Sequence, residues 1–140
     1  MGFRDWKIVR KYQRKLLKLT RARFFDTVRG GRKVLLITTT GRRSGLPRTA
    51  VLVYIRDEEN FVVYASNQGK ERTPAWWLNL QKNPNAVLHV KGQKFNVIAR
   101  RATDLEDARL WPKAVAYNSH WKEFRARAKR HIPLIILLPN

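Results

Sequence analysis

Two apolar, β-branched runs flank a short basic loop, and this arrangement limits what the chain can become more than any other stretch. Val34 to Ile37 leads into Thr38-Thr39-Thr40-Gly41-Arg42-Arg43-Ser44-Gly45-Leu46-Pro47-Arg48, and Thr49 to Ile55 follows. Runs rich in Val, Ile and Thr, bounded by Gly and Pro, read as strands. The loop between them holds two glycines, a serine hydroxyl and three arginines. Glycines let neighbouring backbone N–H groups turn toward one point, which makes an anion-binding concavity. Guanidinium groups add planar, permanently charged forks that suit phosphate or carboxylate. The segment therefore predicts a loop that grips an anionic ligand beside a sheet, although a solvated basic turn is the competing reading. It is neither a Walker loop, which ends in Gly-Lys-Ser/Thr ahead of a helix, nor a GxGxxG dinucleotide fingerprint.

A second segment narrows the choice. Tyr64-Ala65-Ser66-Asn67-Gln68-Gly69-Lys70 closes another strand and leads to Thr73-Pro74-Ala75-Trp76-Trp77-Leu78-Asn79-Leu80. Thr73 reads as an N-cap with Pro74 at the first helical position. Asn83-Pro84-Asn85 stops the helix early. Around these elements the pattern gives strands at 34–39, 49–56 and 61–66, a helix at 74–81, and a hairpin of 86–91 with 94–102. Helices at 105–116 and 121–129 and a last strand at 132–138 complete it. Roughly six strands with short helices between them suit a small closed or split barrel. The fold class is thus mainly β (α+β), in one domain.

Composition agrees with a single core. The chain has 140 residues, 44% of them hydrophobic, and no cysteine, so disulfides and thiolate chemistry are excluded. No run approaches the ~18–20 apolar residues of a transmembrane helix, and no secretory h-region opens the sequence; the expectation is a cytoplasmic protein. His89, His120 and His131 lack metal-ligand spacing, and no metal site is predicted. No Ser-His-Asp arrangement is visible, which argues against hydrolase chemistry.

Charge is the other unusual property. Thirty Lys and Arg stand against ten Asp and Glu, a net +20, which implies anionic partners. Residues 1–33 hold twelve of the basic residues and two of the acidic ones. Within them Trp6, Val9, Tyr12, Leu16 and Leu19 recur at helical spacing, so a basic amphipathic helix is predicted from about Asp5 to Val28, ended by Gly30-Gly31. Such a helix suits an anionic membrane surface through residues 1–29; packing of its apolar face on the barrel is the alternative. The predicted organisation is 1–33 as this helix and 34–140 as the barrel. Arg125, Arg127, Lys129 and Arg130 near Trp121 and Phe124 have the composition of a nucleic-acid surface, but no recognised reading element accompanies them, and nucleic acid is not the expected partner.

Gly41-Arg42-Arg43-Ser44-Gly45 with Pro47-Arg48, then Ser66-Asn67-Gln68-Gly69, then Pro74-Ala75-Trp76-Trp77-Leu78-Asn79-Leu80 with Asn83-Pro84, then Ile132-Pro133-Leu134 resemble the deazaflavin-dependent nitroreductase family. These are small split β-barrel oxidoreductases that use coenzyme F420. The resemblance runs from about Val34 to the C-terminus. It implies an F420H2-dependent reductase that passes a hydride to a quinone, nitro compound or other electrophilic small molecule, as a monomer or homodimer. FMN is the alternative cofactor, and a split barrel that binds lipid or another anionic amphiphile without catalysis is the alternative function.

Carried over residue by residue, the resemblance implies that Arg42, Arg43, Ser44 and Arg48 take the cofactor phosphate. Thr49, Ala50, Val51, Leu52 and Val53 would line its ring through backbone and side chains, and Tyr64, Ala65, Ser66 and Asn67 would meet the ring's other edge. Ala75, Trp76, Trp77, Leu78 and Asn79 would set the short helix against it, with at least one tryptophan also in the core. Ser66 is the implied donor to negative charge developing on the acceptor. The family often has tyrosines ahead of Ile-Pro-Leu; here Tyr117, His120, Trp121 and Phe124 occupy that segment. Tyr117 and Phe124 are the candidates for the acceptor side. Phe124 stands where a tyrosine is expected, and phenylalanine can stack but cannot donate a proton.

Overall fold

The computed structural model describes residues 32–140. The predicted N-terminal helix falls on residues 1–31 and lies outside the described residues. Seven strands form one antiparallel sheet: β1 (Val34–Thr40), β2 (Pro47–Val53), β3 (Ile55–Asp57), β4 (Asn60–Tyr64), β5 (Asn85–Val90), β6 (Gln93–Arg101) and β7 (Leu134–Pro139). Their spatial order is β2-β1-β5-β6-β7-β4-β3. Among the described residues three α-helices accompany them, α1 (Ala75–Lys82), α2 (Asp104–Tyr117) and α3 (His120–Arg127).

The sheet is covered on both sides. Strands β4 and β7 show this most clearly, because they are apolar at nearly every position. Phe61, Val63, Ile135 and Leu137 enter one core with Trp76, Trp77 and Leu80 of α1. Val62, Tyr64, Leu134 and Ile136 point the other way, into a second core with Leu110 and Ala114 of α2 and Trp121 of α3. A strand buried on both faces has no polar side, which is why these runs do not alternate. Fully burying such side chains contributes about 1.5–3 kcal/mol each, so these two strands anchor both layers.

Three boundaries differ from the sequence reading. The run expected as one strand through 56 breaks at Tyr54. Pro47–Val53 pairs with β1, with Thr38 opposite Thr49, while Ile55–Asp57 pairs with β4 at the opposite edge of the sheet. The chain thus passes from one edge to the other within a few residues, with Tyr54 buried at the corner against Phe61. The strand count rises to seven. At α1 the N-cap is Pro74, with extended ψ 143°, and the helix begins at Ala75. The Trp77 and Leu78 N–H groups donate to the Pro74 carbonyl, so Thr73 does not cap it. The β5–β6 turn is centred on Lys91-Gly92, both at positive φ (49° and 78°), as a two-residue hairpin of this twist requires.

Candidate active site

The β1–β2 loop is built from the inside. Gly41 N–H donates to the Leu46 carbonyl at 2.8 Å and Gly45 N–H to the Gly41 carbonyl at 2.8 Å. A Cβ on Gly41 would meet the Ser44 Oγ at 2.6 Å and the Leu46 carbonyl oxygen at 3.1 Å, so a side chain here would crowd the turn. Gly45 has φ +71°. The Ser44 hydroxyl accepts the Leu46 N–H at 3.2 Å, which ties this side chain into the turn.

Asn79 of α1 locks the loop to the sheet. It is 2% exposed. Its Oδ1 accepts from the Arg42 backbone N–H at 3.0 Å and from Arg42 Nη1 at 3.2 Å. Its Nδ2 donates to Thr39 Oγ1 at 3.1 Å. Lys82, one turn further along α1, donates to the Arg42 carbonyl at 2.7 Å. A buried amide with donor and acceptor both satisfied gives a specific alignment of loop, helix and strand.

Between this loop and α1 lies a groove of about 760 Å³. Arg42, Arg43, Ser44, Arg48, Thr49 and Ala50 form its β1–β2 side. Ala75, Trp76, Leu78 and Asn79 form the α1 side, and Asn67 also lines it. Thr39, Gly41, Arg72, Thr73 and Pro74 also line it and were not among the site residues inferred from sequence. Gly41, Thr73 and Pro74 belong to motifs already singled out; Arg72 is a single basic residue in a polar loop, and only the fold brings it to the groove.

The charge in the groove is one-sided. Four arginines line it and no carboxylate does. Arg43, Arg48 and Arg72 make no side-chain hydrogen bond or ion pair with another described residue. Unpaired guanidinium groups around a glycine-built loop fit a ligand carrying phosphate and carboxylate groups, and the apolar flank of Trp76, Leu78 and Ala50 fits a flat ring beside them.

The remaining inferred residues sit elsewhere. On β2, Leu52 packs on the first core, Val53 on the second, and Val51 is 41% exposed; none lines the groove. Trp77 is in the first core, as is Trp76. Ala65 is buried there too. Tyr64 belongs to the second core, between Trp111 and Trp121 at centroid distances of 5.2 and 5.5 Å. Its hydroxyl accepts from Arg125 Nε at 3.0 Å. Burial raises the Tyr64 pKa above its ordinary value, with Arg125 opposing. Ser66 directly precedes the groove residue Asn67 and is partly buried. Tyr117 accepts the Lys33 backbone N–H on its hydroxyl, tying the end of α2 to the start of β1. Phe124 of α3 covers Gly69, where a Cβ would lie 3.1 Å from the Phe124 Cα and carbonyl oxygen.

Comparison with known proteins identifies the family. The sequence model of the F420H2-dependent quinone reductase family matches residues 9–139. The F420H2-dependent quinone reductase Rv1261c of Mycobacterium tuberculosis is 33% identical over 121 residues, which span 84% of this chain and 81% of that protein. A solved F420-H2 dependent reductase (FDR-A) superposes with a TM-score of 0.69 at 27% identity, covering 76% of this chain and 94% of the other. A domain-swapped dimer shares the fold, with a TM-score of 0.70 at 23% identity over 89% of this chain and 98% of its own. Motifs, groove and relatives converge: the chain belongs to the F420H2-dependent quinone reductase family, split-barrel oxidoreductases whose cofactor is coenzyme F420.

Proposed function

We propose that this chain holds F420 in the groove between the β1–β2 loop and α1 and delivers its hydride there to a quinone. The observation that carries the reading is the set of groove arginines without a counter-ion. When bound, the reduced deazaflavin supplies the chemistry, giving two electrons to the acceptor as hydride. The protein's part is to bind, orient and shield. Arg43 and Arg48, with Arg42 held in place by Asn79, would take the phosphate. Arg72, across the groove, would take carboxylate on the tail. Charge-assisted bonds of this kind contribute about 1.5–3 kcal/mol each. Thr49, Ala50, Trp76 and Leu78 would bound the ring and exclude water on that side. The Ser66 hydroxyl is the proposed donor to the acceptor oxygen as charge develops on it. Phe124 would act through the close packing of its backbone on Gly69, in the loop that follows that donor.

Residues 1–29 are proposed to give the protein affinity for an anionic membrane surface, where lipid-soluble quinones reside. Their basic and apolar residues alternate at helical spacing. Deleting them should abolish co-sedimentation with anionic liposomes; unchanged co-sedimentation removes the idea.

The direct test titrates the protein with F420 and, separately, FMN by fluorescence, then follows F420H2 oxidation with a soluble naphthoquinone. Tight F420 binding with quinone-dependent oxidation supports the proposal. Binding of neither cofactor would return the anionic-amphiphile reading, because the arginines would then serve another ligand.

A further inference from the structure

The loop that follows Ser66 and brings Asn67 to the groove is bent in an unusual way. Asn67, Gln68 and Gly69 are three successive residues at positive φ, 44°, 58° and 77°. Only the last is glycine, and two adjacent side-chain-bearing residues in the left-handed region persist only where their surroundings hold them. Part of the hold is local. The Gly69 N–H donates to the Ser66 carbonyl at 2.8 Å, and Lys70 N–H to the Asn67 carbonyl at 3.1 Å. Asn67 Nδ2 donates to the Arg72 carbonyl at 2.8 Å.

The α3 backbone at Phe124 backs Gly69, and a further tie comes from Arg130, remote in sequence and just ahead of β7. Its Nη2 donates to the Ala65 carbonyl at 3.1 Å and the Ser66 carbonyl at 2.9 Å. Its Nε donates to the Lys70 carbonyl at 3.0 Å. One rigid fork thus closes the loop at both ends. Arg130 has no carboxylate partner among the described residues, so its charge is directed at backbone oxygen. In a trans peptide the N–H points opposite to the preceding carbonyl. With the Ser66 carbonyl turned to Arg130, the Asn67 N–H points away from it, and the cation polarises that same peptide.

We propose that Arg130 is a positioning residue for the reaction: its guanidinium holds the Ser66–Asn67 peptide in the left-handed loop that sets the acceptor-side wall of the groove. This rests on the function proposed above. Lysine cannot replace it, since a single ammonium lacks the spaced donors that reach both ends of the loop.

The test compares wild type with Arg130→Met and Arg130→Lys. Amide hydrogen exchange of the cofactor-free chain is read over residues 65–72, and F420 affinity and kcat with a soluble naphthoquinone are measured separately. Exchange in 66–70 should rise in both variants, with the rest of the sheet unchanged. F420 affinity should stay within about threefold, because the arginines on the β1–β2 loop are untouched, while kcat falls on the order of 10- to 100-fold, the size of a lost alignment. Unchanged exchange at 66–70, or kcat within about twofold of wild type, overturns the proposal. Exchange rising throughout the sheet, with affinity and kcat lost together, also overturns it and makes Arg130 a residue of the fold at large. Failure of the wild type to bind F420 would instead refute the proposed function, and the exchange measurement would still decide whether Arg130 holds the loop.

Discussion

Arginines on the two sides of this molecule are treated in opposite ways. Against the second core three of them are matched to carboxylates. Arg125 is bidentate to Asp107 at 3.0 and 3.2 Å, Arg109 to Asp57 at 2.8 and 3.0 Å, and Arg100 to Glu106 at 2.6 and 2.8 Å. In the groove the same residue type meets no carboxylate, and Arg42 is held by the neutral amide of Asn79. Clustered cations without counter-ions repel one another and cost the folded state stability. The chain holds carboxylates and spends them elsewhere. On the function proposed above, the matched arginines belong to the fold and the unmatched groove arginines to the ligand, and the contrast can be broken from either side.

The largest effect is expected from the groove. Replacing Arg43 and Arg48 together by alanine should weaken F420 binding about 100-fold or more, from two charge-assisted contacts of about 1.5–3 kcal/mol each. The thermal midpoint should hold or rise, since repulsion is relieved. Fluorescence titration and a melting curve on the same sample decide it. A fall in stability without a change in affinity would reverse the assignment.

The matched side should behave conversely. Arg125 lies 3.4 Å above the Trp111 ring centroid as well as bonding Asp107 and Tyr64. Arg125→Ala loses the stacking and leaves a partly buried carboxylate without its partner, about 2–4 kcal/mol of stability by urea unfolding. F420 affinity should change less than about threefold, since no groove residue is touched. An affinity loss comparable to that of the groove double variant would end the distinction.

Asn79 should fall between the two. Asn79→Ala leaves the Arg42 N–H without its partner and takes the Asn79 donor from the Thr39 hydroxyl, which keeps only a long bond to the Arg48 carbonyl at 3.5 Å. The expected result is about 2 kcal/mol of lost stability together with roughly tenfold weaker F420 binding. Loss of only one of the two would show that the loop's alignment and the fold are separable.

Much of this contrast was legible in the sequence at the level of segments. The β-branched runs around Gly41–Gly45 and the stop at Asn83-Pro84 placed the loop and the short helix close to where they lie. What could not be read was pairing between distant residues. Nothing in Val53-Tyr54-Ile55, all good strand formers, shows that the run changes partner at Tyr54, because that is decided by which edge offers hydrogen bonds. Asn79 was placed at the cofactor as part of a motif, yet its hydrogen bonds go to Arg42 and Thr39, far off in sequence. Arg72 escaped notice for the same reason: a lone basic residue in a loop gains meaning only from what faces it. Of the set Thr49 to Val53, expected to line the ring through backbone and side chains, Thr49 and Ala50 line the groove, and successive side chains along β2 point to opposite faces.

The smallest expected effect sharpens the matched side through pH. Hydrogen bonds from Arg100, and then from the Thr103 backbone, lower the Glu106 pKa from 4.5 to about 2. Glu106 also completes the capping box that opens α2. A carboxylate with a depressed folded pKa contributes stability that is fully present above its unfolded pKa and is lost as pH falls through the folded one. The window is therefore from about pH 4.5 down to about 2. Solvent reaches this pair, with Arg100 43% exposed, so screening keeps the difference near 1 kcal/mol. Wild type should lose stability through that window more steeply than Glu106→Gln, whose amide cannot titrate, and the two curves should run parallel above pH 5. Parallel curves throughout would mean that the cap, not the charge, is what Arg100 and Glu106 contribute, and that matching on this side is geometric rather than electrostatic.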